Sequence, residues 1–147
     1  MALLSTLKNT LEASTVESIV DSDYTLARVD IAGNQDRDNK TYNYSGDLEV
    51  TTGTKRIYMT RTGAWGEFDM FVETAPVGAD INIDIKKNGS TTIVSGSITD
   101  GSSSSINNSI STSSAGFVSG DYFTVDITQV GSTTAGADLY INLRITG

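Results

Sequence analysis

From Leu48 onward, apolar side chains recur at every second position, in short runs separated by turn-forming residues. Phe68, Met70 and Val72 alternate with Asp69, Phe71 and Glu73, and Ile81, Ile83 and Ile85 alternate with Asp80, Asn82, Asp84 and Lys86. A period of two places each apolar set on one face of a strand. Between these strands, residues 75–78 (APVG) carry the only proline of the chain. Asn88-Gly89 after the second is the strongest short hairpin signal, because both residues tolerate a positive φ.

The same period continues on either side. Leu48 and Val50 alternate in one run, and Ile57 and Met59 in the next. Residues 90–99 form a weaker strand in which Gly96 marks a bulge or bend. Residues 100–116 are rich in Ser and Asn and on composition alone read as a low-complexity linker, but Ile106 and Ile110 also suit the anchors of a polar strand, the preferred expectation. Phe123, Val125 and Ile127 face one way along 121–128, and Leu139, Ile141, Leu143 and Ile145 do so along 137–146. No stretch after residue 20 supplies the helical crossover that parallel strands need, so the sheets should be antiparallel. The pattern predicts an all-β, antiparallel β-sandwich of jelly-roll type.

The first part of the chain follows a different pattern. Leu3, Leu4, Leu7 and Leu11 form the stripe of a short amphipathic helix, which would need a surface to dock on; an extended arm ordered by a partner fits equally. Residues 23–31 hold β-forming residues, Tyr24 and Leu26 among them, without clean alternation. Residues 32–47 show no period and are dense in Gly, Asn and Asp. The expected division is an arm and linker over 1–46 and a β-sandwich domain over 47–147.

Composition narrows the chemistry. The 147 residues contain no cysteine and no histidine, which removes thiolate nucleophiles, Ser-His-Asp triads and zinc sites built on Cys or His. A net charge of −8 argues against binding nucleic acid through phosphates. No apolar run approaches the ~20 residues of a membrane-spanning helix. Residues 1–20 lack the features of a secretory signal, so the chain is expected to be made and used as written.

Asp80, Asn82, Asp84 and Asp126 are oxygen ligands of a kind that suits Ca²⁺ or, in pairs, glycosidase chemistry. Alternate side chains on a strand stand ~7 Å apart, however, and cannot grip one ion unaided. These residues are expected to be a solvated polar face, with no catalytic residue, metal or cofactor. Tyr58, Trp65, Phe71, Tyr122 and Tyr140 fall on or near outward positions, where aromatic area contributes most when a partner covers it. They are the expected subunit interface, with Phe71 the clearest, since it lies between Asp69 and Glu73.

Four pieces of the chain resemble a β-sandwich module of tailed-bacteriophage structural proteins: 71–79 (FVETAPVGA), 83–89 (IDIKKNG), 119–127 (SGDYFTVDI), and 129–132 (QVGS) running into 135–139 (AGADL). The resemblance spans Trp65 to Ile145 and does not extend to residues 1–46. It implies a jelly-roll unit of head decoration proteins, head fibres or tail fibres, commonly trimeric and without catalytic residues. No sustained heptad pattern supports a long fibre shaft. The resulting expectation is a capsid decoration or cement protein on the virion exterior, a homotrimer. It would dock on the major capsid protein through Leu3, Leu4, Leu7, Leu11, Tyr24 and Leu26. A tail or fibre component that binds a host receptor is the alternative.

Overall fold

The computed structural model describes residues 39–53 and 55–146. The expected docking residues Leu3, Leu4, Leu7, Leu11, Tyr24 and Leu26 lie outside them.

Among the described residues nine strands follow in chain order: β1 (Lys40–Asp47), β2 (Ile57–Tyr58), β3 (Gly63–Thr74), β4 (Ile81–Lys87), β5 (Thr91–Ile98), β6 (Ser104–Ser109), β7 (Gly116–Phe117), β8 (Tyr122–Gln129) and β9 (Ala137–Thr146). A 3₁₀ turn, Ser113–Ala115, precedes β7. The strands form two antiparallel sheets. One runs β1-β9-β3-β6 with β7 beside the start of β3, and the other runs β2-β8-β4-β5. The first strand thus pairs with the last, the second with the next to last, β3 with β6 and β7, and β4 with β5. Nested pairs of this kind, rolled so that β9 lies against β3 and β8 against β4, are the connectivity of a jelly roll.

The alternating residues make the core between the sheets. Phe68, Met70, Ile81, Ile83, Ile85, Phe123, Val125, Leu139, Ile141 and Leu143 are each 0% exposed. The strands at 68–72 and 81–85 do not pair with each other as a hairpin; the segment between them carries the chain from one sheet to the other. That crossover is fixed by its backbone. Val77 N–H donates to the Thr134 carbonyl at 2.9 Å, Thr133 N–H donates to Val77 at 2.8 Å, and Gly101 N–H donates to Pro76 at 2.9 Å. Asn88-Gly89 makes the expected tight turn between β4 and β5, with φ of 53° and 75°.

Residues 40–46, assigned to a linker on composition, form an integral edge strand. Tyr42 and Tyr44 alternate there, and both are buried. β2 is only two residues long and pairs with β8 at Tyr122 and Phe123 alone, so no described strand residue pairs with Val125 on that side. The tyrosines reach across from the other sheet and supply donors, Tyr42 Oη at 2.6 Å from Phe123 O and Tyr44 Oη at 3.4 Å from Val125 O. Burial, followed by the nearby Asp126 charge, pushes the Tyr44 hydroxyl up to about 12. Burial likewise raises that of Tyr42.

Three further expectations are corrected. Val50 is 63% exposed, because β1 ends at Asp47 and Val50 lies after it, next to the isolated Thr51–Ile127 bridge. Ile106 is 56% exposed while Ile110 is buried. The pairing of β3 with β6 slips between Phe68↔Asn108 and Met70↔Ser105, so Ile106 and Asn107 bulge out, Asn107 at φ 57°. Gly96 marks no bulge: it pairs regularly with Ile83, and the register shift of that hairpin lies at Ile85/Lys86. A Cβ at Gly96 would stand 2.6 Å from the Phe68 ring and 2.7 Å from Met70 Sδ, so glycine here permits the two sheets to approach.

Candidate functional site

The outer face of the five-stranded sheet carries a group of outward apolar side chains. Phe71 on β3 is 38% exposed and stands directly opposite Tyr140 on β9. Ile106, thrust out by the β6 bulge, lies on the neighbouring strand. An ion network borders this apolar group. Arg144 donates to Glu67 Oε2 from Nη2 at 2.7 Å and from Nε at 3.1 Å, and pairs with Asp69 through Nη1. Asp69, only 8% exposed, also accepts the Asn107 backbone N–H at 2.7 Å. The network fixes the bulge beside Phe71 and keeps the acidic side chains at the edge of the apolar group.

Trp65, expected at the interface, belongs to the core. It is 2% exposed and packs edge-on against Phe123 at 5.4 Å and beside Phe117 at 5.1 Å between ring centroids. The cause is a bulge. Trp65 pairs with Ile145 and Glu67 pairs with Arg144, so Gly66 is an extra residue that reverses the parity of β3.

Tyr58 and Tyr122 keep their outward positions but on the opposite sheet, away from Phe71 and Tyr140. Tyr58 is 56% exposed, its ring 5.4 Å from that of Tyr122, and the Arg56 guanidinium lies 4.6 Å over the Tyr122 ring. The five aromatics expected to form one interface therefore fall into an outer pair on each sheet and one core residue.

The carboxylates of the outer face of the four-stranded sheet are engaged in structural bonds. Asp80 accepts the Asp100 backbone N–H at 2.8 Å, and Asp84 accepts from Ser95 Oγ at 2.5 Å. Asp126 pairs with Lys86 at 2.6 Å. Asp84 and Asp126 are cross-strand neighbours. Thr124 and Asp126, though they alternate with core residues, are only 3% and 5% exposed.

The pieces of sequence that resemble phage modules meet at two places. The 71–79 piece is tied by the Val77–Thr134 bridge to the residues that join 129–132 to 135–139. The 83–89 and 119–127 pieces are joined by Asn88, which donates its N–H to Tyr122 O at 2.8 Å, accepts the Tyr122 N–H on Oδ1 at 3.0 Å, and donates from Nδ2 to Asp121 at 2.9 Å. These segments thus lock one another.

The chain matches no protein-family model and no curated protein. Among solved structures it is similar to a GH26-CBM35 β-(1,4)-mannanase of Podospora anserina, 12% identical with a TM-score of 0.42, over 76% of this chain and 26% of that one. It is also similar to a chain in the structure of infectious bursal disease virus Gx strain, 13% identical with a TM-score of 0.28, over 74% of this chain and 33% of that one. The chain therefore spans between about a quarter and a third of each, and likenesses of this size carry no argument about function.

Proposed function

We propose that the protein is a non-catalytic structural component of a virion. In this reading it is a capsid decoration or cement protein that associates with itself through the outer face of the five-stranded sheet and docks on the major capsid protein through its N-terminal arm. The resemblance of the interlocked loops to tailed-phage modules supports the class, and the jelly-roll connectivity agrees with it by analogy of fold. The observation that carries the assembly is the Phe71–Tyr140 pair, which places large apolar area outward at the centre of a strand pair. A trimer is the expected state.

Two variants test the two parts. Phe71→Asp places a charge at the centre of the proposed contact and should convert the trimer to monomer in sedimentation velocity while leaving the far-ultraviolet spectrum unchanged. Deletion of residues 1–22 should abolish binding to particles stripped of this protein while leaving the trimer intact. A wild-type monomer, or unchanged assembly in Phe71→Asp, overturns the interface; capsid binding that survives the deletion overturns the docking role. Retained virion attachment with lost adsorption to host cells would favour a receptor-binding tail or fibre component. Copy number per particle separates these as well, because hundreds belong to a shell and a handful to a tail.

A further inference from the structure

On the opposite side of the sandwich from Phe71, a cleft of about 320 Å³ opens between the Thr52–Gly53 segment and the Asn88–Ser90 turn. It lies at the small end of the range for ligand clefts. Two polar atoms of its lining residues are buried and have no hydrogen-bond partner, Thr124 Oγ1 and Asp126 Oδ1. They are neighbours on one face of β8, and a Cβ built at Gly53 would stand 3.6 Å from each. Leaving such atoms unpaired is unfavourable, so they mark a place where something else can supply the partner.

The charges around the cleft limit what that is. Lys86 Nζ already holds the other oxygen of Asp126 at 2.6 Å, which disfavours a cation, and the Asp126 carboxylate itself disfavours an anion. The free valences are an acceptor on Asp126 and a hydroxyl on Thr124 that can donate or accept. Two adjacent hydroxyl groups on a neutral ligand meet that requirement. The wall offers the Tyr122 ring, braced by Arg56, whose guanidinium also presents donors.

We propose that this cleft binds a sugar unit, with adjacent hydroxyls of the sugar donating to Asp126 Oδ1 and pairing with Thr124 Oγ1, against the wall formed by Arg56 and Tyr122. Both floor atoms lie beneath Gly53, so occupation lifts the Thr52–Gly53 segment, which is outside the strands and anchored at Thr51 by paired bonds to Ile127 of 3.0 and 2.8 Å. The site lies on a different sheet from the proposed assembly face and does not depend on it.

The test is saturation-transfer NMR of the full chain against glucose, galactose, mannose and N-acetylglucosamine, each as the free monosaccharide and as a short oligosaccharide. At least one should receive saturation, with millimolar affinity for a single unit. Thr124→Val keeps the shape of the side chain and should weaken binding at least tenfold. Its thermal midpoint should be unchanged or higher, since it removes an unpaired buried hydroxyl. A stronger signal from the oligosaccharide than from the monosaccharide identifies a glycan chain as the source; equal signals identify free sugar. Absence of binding across the panel, equal binding by a folded Thr124→Val, or a crystal structure with sugar present that shows only an ordered water joining the two atoms would overturn the proposal.

Discussion

Trp65 and Phe71 stand on the same strand an even number of residues apart, yet one is core and the other is surface. Simple alternation puts them on one face; the extra residue at Gly66 separates them. The bulge encloses the indole between Phe117 and Phe123, so truncation removes contacts that no neighbour can replace. Trp65→Ala should cost about 3–5 kcal/mol in chemical denaturation. Because it is the only tryptophan, the wild type should also emit at short wavelength when folded and shift to the red on unfolding. Alternation was enough to identify the core positions of β4, β8 and β9, where the extra residues of the register shifts fall on the partner strands or outside the apolar run. It failed at Trp65 and Ile106 because a bulge leaves little local mark: Gly66 resembles any strand glycine, and Asn107 takes its positive φ amid similar Ser and Asn residues.

Among elements, the β4–β5 hairpin was legible from Asn88-Gly89, but the second role of Asn88 was not. Its side chain joins the β4–β5 turn to the segment before β8, and Asp121 completes the joint by accepting from Asn88 Nδ2 and Val118 N–H at 2.9 Å each and pairing with Lys87 at 3.0 Å. The Asn88 amide, then the Val118 N–H, then Lys87 hold the Asp121 carboxyl at about 2, below its ordinary 3.8. A carboxyl lowered on folding stabilises the folded state above the unfolded value, and that contribution fades as pH falls through the folded one. Wild type should therefore lose stability relative to Asp121→Asn as pH drops from 3.8 to about 2, measured by urea midpoints at each pH. A constant difference across that window would show that the joint does not depend on the charge. β1 was missed for a related reason. Tyr42 and Tyr44 do alternate, but Asn, Ser and Gly around them dominate the composition, and their use as donors to the β8 carbonyls of Phe123 and Val125 appears only once the two sheets are packed together.

For the molecule as a whole, the nested pairing joins Lys40 to Leu143 and leaves two broad outer faces with different characters. The face with Phe71 and Tyr140 belongs to a chain of net charge −8, so copies repel one another at long range and attract only where apolar area is removed from water. These two terms respond oppositely to salt. The Debye length falls from ~30 Å at 0.01 M to ~10 Å at 0.1 M, which screens the repulsion between copies, while apolar burial is not weakened. The Arg144 network is closed within one chain, through Glu67 and Asp69, so Arg144 is already committed to its own acidic neighbours. Self-association by this face should therefore tighten as sodium chloride rises over that range, read as the monomer–trimer constant in sedimentation equilibrium. Phe71→Asp should show no such gain, because it adds repulsion where the attraction was. An assembly that loosens with salt would instead be held by ion pairs between copies, and the Phe71–Tyr140 face would not be its contact.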